Sequence, residues 1–254
     1  MEDKYILRIL QFTDTHLAAD ADKTYYGVNT DESLRRVIHY ANTHYPHTDL
    51  SLVTGDLVHD DTEAGYERLK NHFKSLKSLV LYLPGNHDLP ALMKKALIGD
   101  VRVTRPNVIK GWQIILLDST MPGEVGGHLH QDELDALGQC LRKHPEHHAL
   151  ICLHHPPFPT GSYWLDNGLI LDNPEDLFAV LDQHEQVRCV LWGHMHQEFR
   201  SVRNGVHYLA TPSTMIQFKP NSHGFAVDDK PPGFRWLDLY SDGRIETGVV
   251  YVEF

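Results

Sequence analysis

Five short apolar runs in this chain each end in residues able to bind a metal ion, and that recurrence constrains the fold more than any other feature. ILRILQFT leads into Asp14-Thr15-His16, LSLVT into Gly55-Asp56, LVLYLP into Gly85-Asn86-His87-Asp88, ALICL into His154-His155-Pro156-Pro157, and CVLW into Gly193-His194-Met195-His196. Apolar runs of this length bounded by turn residues read as strands. Open α/β sheets carry their chemistry outside the carboxyl ends of the strands, so ligands at the ends of successive strands must converge. Converging carboxylates and imidazoles describe a two-metal hydrolase.

Between these runs the apolar spacing changes from strand to helix. Leu34, Val37, Ile38 and Ala41 follow i, i+3, i+4, i+7; Tyr66, Leu69, Phe73 and Leu76 approximate it, as do Leu134, Leu137 and Leu141. Each segment reads as a crossover helix. Asp172-Asn173-Pro174-Glu175-Asp176 sets capping side chains ahead of a proline suited to a first helical turn, with Leu177, Phe178 and Leu181 as the buried stripe. After Trp192 the pattern turns to HYLAT, FRWLDLY and ETGVVYVEF, with Ser241-Asp242-Gly243-Arg244 as a turn, which predicts an antiparallel meander over 200–254. A chain of 254 residues buries one large α/β core, and we expect residues 1–254 to form one domain. Loops at 20–30, 121–130, 156–173 and 219–233 are long enough to wall a pocket.

Charge and composition exclude several classes. With 34 acidic against 23 basic residues and a formal charge of −11, the surface lacks the basic footprint that holds a long nucleic acid. Cys140, Cys152 and Cys189 are odd in number and unpaired in spacing, which excludes a disulfide framework or zinc knuckle and fits a reducing cytoplasm. The start, MEDKYILRIL, has no basic region, long apolar stretch or cleavage site, and no run reaches the roughly 18 apolar residues of a membrane span. Neither a Walker A sequence nor G-x-S-x-G is present, so the phosphate-cradling nucleoside-triphosphatase and serine-nucleophile readings fall away. Oligomeric state is not legible.

The packets differ in what they offer. Asp14-x-His16 supplies a carboxylate oxygen and an imidazole nitrogen; with His16 where D-x-D-x-[TV] has its second acid, the haloacid-dehalogenase chemistry is excluded. Asp56 follows a glycine that lets backbone approach an ion, and its carboxylate is suited to bridging two ions. Asp60 and Asp61 read as an exposed pair or a helix cap. Asn86 donates a neutral amide oxygen that leaves a site more positive than an aspartate would. His87, beside it but pointing elsewhere, is placed to protonate a leaving group. His194-x-His196 puts two imidazoles on one side of an extended segment. Adjacent His154 and His155 point to opposite faces, so at most one of them is a ligand; His154 is the choice, with His155 supporting it from behind or packing, held by Pro156-Pro157.

Together the packets match the ordered signature D-x-H, G-D, G-N-H-[DE], H, G-H-x-H, and the chain is identified as a member of the calcineurin-like metallophosphoesterase family. The resemblance implies a four-layer αββα sandwich of two mixed β-sheets flanked by helices, with a dinuclear centre at one edge. It implies that Asp14, His16, Asp56 and His196 hold a first metal, that Asp56, Asn86, His154 and His194 hold a second, and that His87 is catalytic without being a ligand. It also brings His16, Asp56, Asn86, His87, His154 and His196 to the substrate. Oxygen and nitrogen ligands without thiolate fit iron, manganese, zinc or cobalt, two divalent or mixed-valence ions in all.

Stretches outside the metal motifs, QFTDTHL, YGVNTDES, LHHPPFPTGSYWLD and TPSTMIQFKP, are similar to the bacterial 3′,5′-cyclic-AMP phosphodiesterases of that family. That similarity implies hydrolysis of cyclic AMP to 5′-AMP by attack of a metal-bound hydroxide. Two divalent ions against two carboxylates and one hydroxide leave a positive centre, which attracts a singly charged diester. The alternatives are a broader phosphodiesterase acting on glycerophosphodiesters, 2′,3′-cyclic nucleotides or other small diesters, and a non-catalytic scaffold on the same fold. Asn29, Trp164 and Phe218 lie in loops able to reach the site, where an aromatic ring would stack on adenine.

Overall fold

A computed structural model describes residues 6–97 and 107–253 of the chain. The part of the N-terminal stretch at residues 1–5 lies outside them. Apolar runs buried on both faces belong to strands covered on each side, and the runs preceding the packets are of this kind. In order, the first segment forms β1 (Ile6–Phe12), β2 (Thr24–Tyr25), β3 (Val28–Asn29), α1 (Thr30–His44), β4 (Leu50–Thr54), α2 (Glu63–Phe73), β5 (Leu79–Leu83) and α3 (Pro90–Ala96). The second continues with β6 (Asn107–Ile109), β7 (Trp112–Leu116), α4 (Gln131–Lys143), β8 (His148–Cys152), α5 (Tyr163–Asp166), α6 (Pro174–Leu181) and β9 (Val187–Trp192). It ends with β10 (Phe199–Arg203), β11 (Val206–Ala210), β12 (Gln217–Phe218), β13 (Val227–Asp228), β14 (Gly233–Tyr240) and β15 (Ile245–Tyr251).

Two mixed sheets result, with strand orders β15-β14-β1-β4-β5 and β10-β11-β9-β8-β7-β6. In the first, β1, β4 and β5 are parallel, β14 runs antiparallel to β1 and β15 antiparallel to β14; in the second, β7, β8, β9 and β11 are parallel and the two edge strands antiparallel to their neighbours. Alternation decides what each strand faces. Leu7 and Ile9 of β1 join Leu52, Leu81, Ile114, Leu150 and Leu191 in a core between the sheets, while Leu10 and Phe12 pack with Leu34, Val37, Tyr66, Leu69 and Phe73 of α1 and α2. On the far side, Ile151, Val190 and Tyr208 pack with Leu134, Leu137 and Leu141 of α4 and Leu177 and Phe178 of α6. The layers are therefore helix, sheet, sheet, helix, as the family resemblance implies. Each fully buried leucine stabilises this arrangement by about 1.5–3 kcal/mol. Two polar side chains cross the interior with their bonds made: Gln11 donates to Thr54 Oγ1 (2.9 Å) and the Trp192 carbonyl (3.1 Å), and Arg235 to the Ala210 carbonyl (2.7 Å).

The C-terminal strands depart from the expected meander. HYLAT becomes β11, which pairs antiparallel with β10 but parallel with β9 and so extends the second sheet. The β14–β15 hairpin instead joins the first sheet beside β1. Strand spacing carried no signal for this split, because a hairpin pattern looks the same in either sheet. The WQIIL strand β7, wholly buried, and the short hairpin β2–β3 were not anticipated.

Candidate metal centre

The parallel strands β1, β4 and β5 of one sheet and β8 and β9 of the other deliver their carboxyl ends to a common edge. Immediately beyond them the chain turns through left-handed backbone at Asp14 (φ 53°), His16 (φ 44°), Asp56 (φ 51°), His194 (φ 64°) and His196 (φ 45°). Such conformations cost of order 1–3 kcal/mol each in non-glycine residues and persist where surrounding bonds over-determine them. Those bonds are present: Asp14 N donates to Gly55 O (3.0 Å), His16 N to Asp56 O (2.9 Å), Thr15 Oγ1 to Leu57 O (2.7 Å) and Ser213 Oγ to Asp14 O (2.8 Å). Gly85 is required by close approach, since a Cβ there would overlap the Asp56 backbone nitrogen and carboxylate. Asp88 fixes the same loop, accepting from the backbone nitrogens of Gly85 (2.9 Å) and Leu57 (3.0 Å) and from the Tyr66 hydroxyl (2.9 Å).

All eight candidate residues are brought together. Asp56 lies between two clusters, its Oδ2 3.6 Å from His16 Nε2 and its Oδ1 3.3 Å from His154 Nε2. His196 Nε2 is 3.4 Å from Asp14 Oδ1, and Asp14, His16 and His196 together form a group that could hold an ion, as do Asp14, Asp56 and His154. The imidazoles are aimed by their outer nitrogens: Nδ1 of His154 meets Thr54 O (2.9 Å) and Nδ1 of His196 meets Ile216 O (2.9 Å), which leaves each Nε2 facing inward. Asn86 Oδ1, His154 Nε2 and both ring nitrogens of His194 are buried without a hydrogen-bond partner. Buried polar atoms are seldom left so. These orphans are hard and borderline donors at the position where the resemblance sets a second ion, so the residues present fit a dinuclear group.

Electrostatics prepare the same donors. Burial opposes ionisation of Asp14, but His196 and His154 outweigh it and lower its pKa; burial likewise opposes Asp56, which His154 and His16 hold well below the usual carboxylate range. Burial holds His16 well below the ordinary imidazole value, and burial reinforced by His154 pushes His194 down to about 4, so both rings keep a lone pair. Burial also works against charge on His154, yet Asp56 and Asp14 push it up to about 9. Metal binding at His154 would therefore release a proton.

His87 stands on the open side. Its backbone nitrogen donates to Asp56 Oδ1 (2.9 Å), and its ring lies 5.0 Å from that of His16. The His155 ring lies 4.9 Å from that of His194, and the two fall with His154 in one group, but the His155 nitrogens are engaged elsewhere, Nδ1 2.8 Å from Ser119 Oγ and Nε2 3.1 Å from Val125 O. One neighbour was missed. His59 Nδ1 meets His16 Nδ1 at 3.1 Å, and the His59 ring stacks on His87 at 4.6 Å and 21°. Its only sequence signal was its place three residues after Asp56. The Asn29 side chain is committed to a cap: its Oδ1 accepts from Glu32 N (2.8 Å) as the N-cap of α1, and its amide donates to Ala21 O. Phe218 lies flat on His196 at 4.0 Å, with Trp164 behind it at 5.2 Å. Asp60 bonds to Ala19 N and to Thr62, the cap of α2.

A two-sheet sandwich with aspartates, an asparagine and histidines gathered at its strand ends defines a class, and the sequence model of the calcineurin-like phosphoesterases matches residues 7–198. The chain belongs to the calcineurin-like phosphoesterase family, whose members use a dinuclear metal centre. It is 41% identical to a 3′,5′-cyclic-nucleotide phosphodiesterase of Nostoc sp. strain PCC 7120 over 100% of this chain and 96% of that protein. It is also 41% identical to the 3′,5′-cyclic adenosine monophosphate phosphodiesterase CpdA of Escherichia coli K12, over 96% of this chain and 89% of that one. Among solved structures, a dimetal phosphatase of Danio rerio shares the fold with a TM-score of 0.64 at 18% identity, covering 96% of this chain and 98% of the other. No helix of the described residues is long and apolar enough to cross a membrane.

Proposed function

We propose that the protein hydrolyses 3′,5′-cyclic AMP to 5′-AMP. Near-full-length similarity at 41% identity to relatives named for cyclic-nucleotide hydrolysis carries the choice of substrate. In this reading Asp14, His16, Asp56 and His196 hold one ion of iron, manganese, zinc or cobalt, and Asp56, Asn86, His154 and His194 hold another. When bound, the pair supplies Lewis acidity to the phosphoryl group and makes water acidic enough to react near neutral pH.

The protein's own groups do the remaining work. Asp56 fixes the spacing of the two halves, since each of its oxygens faces one cluster. Asn86 keeps the second half free of an additional negative charge. His16, Asp56, Asn86, His87, His154 and His196 surround the phosphate. Water adds to phosphorus as the P–O3′ bond breaks, and His87 gives its proton to the departing O3′, a basic alkoxide that leaves poorly without one. The reading includes residues 1–254 as one domain, supported by the shared core between the sheets, and a cytoplasmic location, supported by Cys152 and Cys189, which are buried as free thiols.

The test is turnover of metal-loaded protein on 3′,5′-cyclic AMP, 2′,3′-cyclic AMP, glycerophosphocholine and nitrophenyl phosphate side by side. Preference for the first, with 5′-AMP accumulating, is expected. Faster release from the monoester, or equal rates on all diesters, would overturn the assignment.

A further inference from the structure

Beside the centre, beyond Phe218 and Trp164, the aromatic surface continues to rings that none of the roles above uses. Phe225 meets Phe218 edge-on at 5.4 Å, and Phe218 lies flat on His196 at 4.0 Å, so Phe225 is two ring contacts from a candidate ligand. Tyr26, at the tip of the β2–β3 hairpin, meets Phe225 at 5.1 Å and 37°. From the same hairpin, Tyr25 packs on His59 at 4.1 Å, and His59 stacks on His87. Two loops far apart in sequence thus touch each other through Tyr26 and Phe225, and each borders the centre, one on the His87 side and one on the His196 side.

The two rings at the junction are the exposed ones. Tyr26 is 65% and Phe225 46% exposed, whereas Tyr25, Phe218 and Trp164 are partly buried among their neighbours. They are nevertheless held in place. Tyr26 and Gly27 turn through left-handed backbone (φ 52° and 81°), and the Phe225 loop is closed by Lys219 N to Ala226 O (2.8 Å) and tied down by Trp164 Nε1 to Ser222 Oγ (3.1 Å). An exposed pair of aromatic faces on set backbone, beside a charged centre, favours a ligand that is anionic at one end and flat and apolar at the other.

The geometry points to Tyr26 and Phe225 as the platform on which the purine base of a cyclic nucleotide stacks while its phosphate occupies the centre. This rests on the cyclic-nucleotide reading and adds the residues that select for a base. Aromatic stacking tolerates any base, since each has a π-face. The platform therefore separates nucleotides from base-free diesters and separates adenine from guanine weakly.

Steady-state kinetics of Tyr26→Ala and Phe225→Ala, with Tyr26→Phe and Phe225→Tyr as ring-preserving controls, test it on cyclic AMP and on methyl riboside 3′,5′-cyclic phosphate, which has no base. Each alanine variant should raise KM for cyclic AMP about tenfold, the lower part of the range for a stacking ring, because these faces remain partly solvated. The turnover number, the kinetics on the base-free substrate and the metal content should be unchanged, and the ring-preserving variants should behave as wild type. Variants that leave KM unaltered, or change it equally on both substrates, overturn the platform alone. A changed sedimentation coefficient in the alanine variants also overturns it, making the patch a contact between copies of the chain. Wild-type protein that cleaves the base-free diester but not cyclic AMP overturns the cyclic-nucleotide reading itself.

Discussion

Asp56 presents one carboxylate oxygen to each of two histidine clusters, and an asparagine there would retain a single good donor. Asp56→Asn is expected to lose metal from both positions, measured as metal equivalents in the purified variant; two full equivalents with normal turnover would remove the bridge. His87→Ala should keep both metals and lose ~10²–10⁴ in turnover of cyclic AMP, the usual worth of a positioned acid or base. Bis-nitrophenyl phosphate, whose leaving group departs without a proton, should lose far less; equal losses would point instead to electrostatic stabilisation. His59 acts through His16, whose outer nitrogen it meets at 3.1 Å. Removing such a support costs roughly 10–100-fold in metal affinity or activity, so a chelator titration of His59→Ala should show weaker retention than wild type. His59 was not legible because its partners, Tyr25, His16 and His87, come from other packets and loops and are joined only by folding. Asn29 was misread for the opposite reason. The signal for its true role was present, an asparagine followed three residues later by Glu32, and it marks a helix cap.

At the scale of elements, the packets were legible because each follows a parallel strand whose end can lie at only one edge. Strands without a packet gave no such handle: β7 is as buried as β4 or β8, yet nothing in WQIIL announces its neighbours. Helix α4 carries a separate consequence. Burial, supported by Asp118 and Asp132, pushes the Glu133 pKa up to about 7 from an ordinary 4.5 although Glu133 accepts a hydrogen bond from Asp118 N. The folded state thus binds this proton more tightly than the unfolded state, so its stabilising effect is complete below about pH 4.5 and is lost as pH rises to about 7. Glu133→Gln keeps the size and the acceptor without the charge. Its stability relative to wild type should increase across that window by about 1 kcal/mol, after allowance for solvent screening of a partly exposed group. Thermal unfolding at pH 5 and pH 8 measures it, and a difference independent of pH would contradict the shift.

For the whole molecule, the two sheets close on one apolar interior, and the first of them is built from strands far apart in the sequence. Strand β1, which carries Asp14 and His16 at its end, is bonded along one side to β4 and along the other to β14, in register from Ile6↔Tyr240 to Gln11↔Arg235. A chain stopped after residue 232 keeps every metal motif but lacks that partner. It should bind metal poorly and expose apolar surface, which metal analysis and binding of a hydrophobic dye would register; a truncated protein with full metal content would show that β14 is dispensable. The same pairing governs the order of events in biosynthesis. Strand β1 is made long before its partner β14, and contacts so distant in sequence form slowly because a long loop must close first. Synthesis and cofactor loading are thereby linked, the strand that carries Asp14 and His16 gaining its second neighbour only once β14 has been made.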